Sequence, residues 1–213
     1  MSFARNVAAI PASDAKRSPS PPVRSRRAYA SGARSILRSA TDDIHRRMHC
    51  HPGFALLAAG DIGRDDYRRL LARSYGFYAV AEPLLGLSGR ATTRLEQDLA
   101  DLGMTAEAIA ALPRCAPLAV GTNMAEQIGG RYVLMGASLG GTVMARAIAG
   151  GSPDERLPTQ FLTGDGTRDG DWHRFVATLD ARLPDVATRE TAARAAVTTF
   201  AAFETWMNGW NAQ

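Results

Sequence analysis

The sequence predicts an all-α, single-domain fold of seven or eight helices. Three observations carry that expectation. Apolar residues recur at spacings of three and four along most of the chain, as one helix face requires. No segment alternates apolar and polar residues as a half-buried strand would. The 213 residues are 46% hydrophobic, enough for one core.

The first helix is expected from about residue 31. Ile36, Leu37, Ala40, Ile44 and Met48 form one apolar stripe. Pro52-Gly53 breaks it, and Phe54–Ala59 reads as a short second helix. Asp61, Asp65 and Asp66 announce another helix start, before Tyr67, Leu70, Leu71, Ser74, Tyr75 and Tyr78, with a run to Leu85. Thr92–Leu102 and Ala106–Leu112 follow, separated by Gly103 and ended by Pro113. Residues 122–149 are the longest periodic segment and end at Gly150-Gly151-Ser152-Pro153. A loop is expected over Thr163–Asp171, then helices over Trp172–Leu183 and Arg189–Trp206.

The basic balance belongs to one end. The formal net charge is +4 and the pI near 9.5. Residues 1–30 hold six basic side chains against the single acid Asp14, so the remainder is close to neutral. These residues, with Pro11, Pro19, Pro21 and Pro22, read as a disordered tail, and residues 31–213 as the folded domain. A charge excess confined to a tail argues against a nucleic-acid-binding face. No apolar run reaches the length of a membrane span, and no secretory signal is evident, so a cytoplasmic protein is expected. Cys50 and Cys115 have no metal-ligand spacing and read as reduced, structural residues.

The most informative stretch is Tyr132-Val133-Leu134-Met135-Gly136-Ala137-Ser138-Leu139-Gly140-Gly141. Each glycine costs a helix interior about 0.5–1 kcal/mol relative to alanine, so three within six residues need a compensating role. One reading is a nucleophile elbow, G-x-S-x-G, with Ser138 as an acylating nucleophile. It requires a preceding strand, and the segments before it read as helices. Only one histidine, His173, follows to complete a triad. The other reading is a helix whose backbone must approach a flat ligand or a second helix closely, with both options open from the glycines alone. His45 lies beside the apolar stripe of the first helix. It is either a structural or surface histidine or an axial haem ligand. His49 and His51, near a helix end, read as surface or capping groups.

Taken together, these residues resemble the haem oxygenase family. Leu37-Arg38-Ser39-Ala40-Thr41-Asp42-Asp43-Ile44-His45 resembles the family's opening helix, L-[KR]-x-A-T-x-x-x-H. Arg64-Asp65-Asp66-Tyr67, with Tyr75-Gly76-Phe77-Tyr78 and Glu82, is similar to its next long helix. Tyr132–Gly141 looks like its distal helix, and Gly170-Asp171-Trp172-His173-Arg174-Phe175 like the bacterial W-x-x-F helix. The resemblance covers residues 31–207 and is nearest in style to bacterial members that make biliverdin, often for bacteriophytochromes.

The resemblance implies haem b as both substrate and cofactor, sandwiched between a proximal and a kinked distal helix. His45 would be the proximal iron ligand, with Met48 beside it. Gly136, Gly140 and Gly141 would lie against the haem face, with Gly136, Ser138 and Gly140 serving the oxygen side. Arg38 would meet the propionates, with Arg131, Tyr132 and Arg174 as further candidates. Phe200 and Phe203 would either line the pocket or serve as plain core. The implied reaction is O2- and electron-dependent ring cleavage to biliverdin, CO and ferrous iron. No flavin or nicotinamide motif is present, so a ferredoxin or reductase would supply electrons, and a bacteriophytochrome is a possible acceptor. Two positions depart from the family pattern. Ala137 stands where some members carry an aspartate, and His49 where several have an acid beside the proximal imidazole.

Overall fold

The computed structural model describes residues 32–150, 156–164 and 168–210, with backbone alone at 138 and 168–170. The basic tail 1–30 lies outside the described residues. Among those described there are nine helices and no strand. They are α1 (Ala33–His49), α2 (Pro52–Ala59), α3 (Arg64–Leu84), α4 (Arg90–Asp101), α5 (Ala106–Ala110), α6 (Met124–Ala147), α7 (Gln160–Thr163), α8 (Arg168–Arg182) and α9 (Val186–Met207).

The helix ends show why the chain breaks where it does. Pro52 starts α2 rather than merely ending α1, because a proline in the first turn has no N–H to leave unsatisfied. Asp65 and Asp66 occupy the first turn of α3, where carboxylates oppose the positive end of the helix dipole. Asn123 caps α6 by accepting from the Glu126 N–H at 3.0 Å. Asp185 and Thr188 cap each other's backbone at the start of α9. That box places the start of α9 three residues before the expected Arg189.

Two caps come from distant parts of the chain. Asp180 on α8 accepts from the Ala33 N–H at 2.7 Å and so holds the start of α1. Asp98, fully buried on α4, accepts from the Gln160 and Phe161 N–H groups at 3.0 and 2.8 Å. This carboxylate explains α7, a single turn that sequence periodicity is too short to reveal. With α7, the helix count exceeds the seven or eight expected.

The larger core joins Tyr67, Leu70, Leu71 and Phe77 of α3 to Leu95 and Leu99 of α4. A second cluster joins Leu37 of α1, Ile128 of α6, and Trp172, Phe175 and Leu179 of α8. Helix α6 packs along α9, and Gly129 makes this possible: a Cβ there would strike the Ala192 carbonyl. The stretch 132–141 lies wholly inside α6. Tyr132–Met135 is therefore helical, and the nucleophile-elbow reading loses the strand it requires. No helix of the described residues is long and apolar enough to cross a membrane.

Candidate functional site

A cavity of about 580 Å³ opens between α1, α3, α4, α6, α8 and α9. That volume lies in the range of small-molecule and cofactor sites. The expected residues Arg38, His45, Met48, Tyr132, Gly136, Gly140, Gly141, Phe200 and Phe203 all line it. They come from α1, α6 and α9, and no two of these segments are neighbours in sequence.

His45 projects from α1 into this space. Its ring meets that of His49, one turn on, edge to face at 4.5 Å, and that of Phe200 at 6.4 Å. Burial holds the His45 imidazole below its usual value. His49 and Arg38 act in the same direction and Asp42 opposes them. The neutral ring that results leaves a nitrogen lone pair for a metal ion. Tyr132 packs against Trp172 at 5.4 Å. Burial raises its phenol, and Arg34 and Arg38 work against that rise. It is thus a neutral hydroxyl within the field of two guanidinium groups.

Three of the five glycines of α6, Gly136, Gly140 and Gly141, do different jobs. A Cβ on Gly140 would meet nothing within 4 Å, so bare backbone faces open space there. A Cβ on Gly136 would touch the Trp172 ring at 3.4 Å, an ordinary contact. A Cβ on Gly141 would strike the main chain of Leu162, so this glycine serves the approach of α6 to α7. A cavity wall of exposed backbone, a neutral histidine on a separate wall and arginines beside both fit a flat, iron-bearing, carboxylate-edged ligand.

Several expectations need correction. Arg131 does not line the cavity. Its Nε donates to the Leu85 carbonyl at 2.6 Å, and its guanidinium packs over Gly86. Arg174 also lies off the cavity, ion-paired to Asp171 and largely exposed. His51 holds the N-cap position of α2, as a capping group would, but its side chain makes no cap hydrogen bond and is not on the surface. It is buried, its Nε2 is 3.0 Å from the Met207 carbonyl, and its ring meets Phe54 and Trp210. Phe200 and Phe203 take both roles open to them: they reach the cavity while also packing against the larger core. Ser138 sits in α6 by its backbone.

Other lining residues went unassigned in the sequence. Ser74, Tyr78 and Glu82 lie one turn apart on α3 and give the cavity a buried polar stripe. Their i, i+4, i+8 spacing was the available signal. Glu82 accepts from the Ala91 and Thr92 N–H groups and from the Thr92 hydroxyl, which fixes the start of α4. Arg34, Arg90, Arg94 and Asp171 also line the cavity, and nothing local in the sequence distinguishes them from solvated surface charges.

An all-helical fold around such a cavity defines a class of helical bundles that hold a small molecule or cofactor between their helices. The family comparison makes it specific: residues 32–209 match the model of the heme oxygenase family, and the chain belongs to that family. A curated relative described as heme oxygenase, from Xanthomonas campestris pv. campestris, is 29% identical over 160 residues, covering 70% of this chain and 93% of the relative. Among solved structures, heme oxygenase-1 from the cyanobacterium Synechocystis in complex with heme superposes with a TM-score of 0.63 at 16% identity. It covers 85% of this chain and 93% of its own. Heme oxygenase from Leptospira interrogans gives 0.63 at 14% identity, over 83% and 98%. At such identities the two structures speak for the fold alone.

Proposed function

We propose that the protein is a haem oxygenase that opens the haem ring to biliverdin, with release of CO and ferrous iron. The observation that carries this reading is the placing of His45 and the bare backbone of Gly140 on separate walls of one cavity. Bound haem would supply both the iron at which O2 is activated and the ring that is cleaved.

The chain's own residues divide the remaining work. His45, held neutral, offers its lone pair to the iron. Arg34 and Arg38 attract the ligand's carboxylates, and the Tyr132 hydroxyl stands beside them as a donor. The Gly140 backbone lets the ring lie close to α6. Phe200 and Phe203 give the His45 side an apolar aromatic wall. Electrons come from a separate ferredoxin or reductase, and a bacteriophytochrome is the proposed acceptor of the bilin. Cytoplasmic residence is part of the same proposal, as is a folded domain from residue 31 behind a basic tail.

The test is to add hemin, then ascorbate or a reductase in air. A Soret band that forms and then bleaches to a bilin spectrum supports the reading, and His45→Ala should abolish the band. A second reading, haem binding or sensing without turnover, draws on Ala137, which offers no side-chain hydrogen bond. It predicts a stable band and no bilin.

A further inference from the structure

The cavity wall carries two pairs of arginines on different helices. Arg34 and Arg38 lie one turn apart on α1, and Arg90 and Arg94 one turn apart on α4. Helix α1 packs against α8 and α9, whereas α4 packs against α3 and α7, so the pairs belong to different walls.

The acids that line the cavity are shared unequally between these pairs. On α1 there is Asp42 alone. Beside the α4 pair stand two carboxylates. Glu82 binds the first turn of α4. Asp171 Oδ2 lies 3.8 Å from Arg90 Nη1, while its other oxygen engages Arg174. Among the lining side chains alone, the α4 wall sets two acids against two arginines and the α1 wall one acid against two, although Asp171 is shared with Arg174, which lies off the cavity. Asp171 is also well presented, because its neighbour Trp172 is buried between Tyr132 and Phe175.

Haem carries two carboxylates on one edge of a nearly square ring. A cavity with two cationic walls could hold that edge at either one, and the choice decides which part of the ring faces the oxygen side. We propose that Asp171 is a specificity-determining residue that occupies Arg90, denies it to the ligand's carboxylates and so favours Arg34 and Arg38 as their seat. This inference rests on the haem-binding reading above. Asp171 acts on seating and touches no reacting atom, so it is a positioning residue.

The experiment counts seatings directly. Ferric hemin is added to the full chain, and the hyperfine-shifted haem methyl protons are recorded by NMR for wild type, Asp171→Asn and Asp171→Asn/Arg90→Ala. Circular dichroism of each variant checks the fold. In Asp171→Asn the ratio of the two seatings should shift by roughly twofold to fivefold toward the α4 wall, the range that a partly exposed ion pair commands. Removing Arg90 as well should restore the wild-type ratio. An unchanged ratio in Asp171→Asn, or a shift that persists without Arg90, overturns the assignment of Asp171 while haem binding stands. A missing Soret band in every variant, wild type included, overturns the haem reading and this inference with it.

Discussion

Gly141 lies so close to Leu162 that a methyl group on it would collide with the Leu162 carbonyl, whereas one residue earlier Gly140 has open space before it. The two glycines should therefore respond to alanine in opposite ways. Gly141→Ala forces α6 and α7 apart and should destabilise the fold by about 1–3 kcal/mol. That corresponds to a melting temperature lower by roughly 2–10 °C for a domain of this size. Gly140→Ala should leave the melting point unchanged or raised, since alanine favours a helix interior by about 0.5–1 kcal/mol. Its cost should appear in hemin titration, as weaker binding. Equal losses of stability in the two variants would contradict this division of roles.

The His45 titration should reveal its neighbours. Its imidazole is held below the ordinary 6.5, first by burial and then by His49. The unfolded chain thus takes up this proton at a higher pH than the folded one. Stability is undiminished above pH 6.5 and falls as the pH drops below it. His49→Ala should move the NMR titration midpoint of His45 upward, because a repelling neighbour is gone. Asp42→Asn should move it downward, because a stabilising carboxylate is lost. A midpoint indifferent to both substitutions would show that neither neighbour acts on His45.

Asp98 should matter far more than its distance from His45 suggests. It is buried and holds the first turn of α7, which brings Phe161 and Leu162 to the cavity wall. Asp98→Ala leaves two amide groups without their acceptor and should cost about 1–3 kcal/mol or more. Differential scanning calorimetry would register this as a melting transition several degrees lower.

The two cysteines should differ in reactivity. Cys50 is exposed and Cys115 is buried. Burial pushes the Cys115 thiol up, against a backbone hydrogen bond and Arg73. At pH 8 its thiolate fraction is thus below that of an ordinary cysteine. Iodoacetamide should modify Cys50 promptly and Cys115 only on unfolding, as mass spectrometry of timed samples would show.

Much of this architecture was legible because helical periodicity is a local property. The stripe Leu37, Ile44, Met48 announces α1, and His45 lies beside it. The long periodic stretch announces α6 despite its glycines. The Asp185-x-x-Thr188 pattern was readable as a cap and would have placed α9 correctly. What escaped depends on chain segments far apart in sequence. His51 reads as polar punctuation after a helix, yet the Met207 carbonyl, 156 residues away, takes it into the interior. Arg131 reads as a cavity cation until the Leu85 carbonyl claims it. Helix α7 is invisible without Asp98, some 60 residues upstream. The arginines of α4 resemble any solvated helix face until α4 takes its place against the cavity.

Helix α6 behaves as a beam held at two supports. At Gly129 its backbone rests on α9, and at Gly141 on α7, with no side chain as a cushion at either contact. The two glycines are twelve positions apart, about 18 Å along the helix. A ligand pressing on this wall cannot lift the helix at its bearings, so any give must come from the middle of the span, where Gly136 lies. The width of the slot is thereby set by main-chain contacts, one of them, at Gly129, away from the cavity, and a substitution at Gly129 would widen it without altering a single cavity-lining side chain.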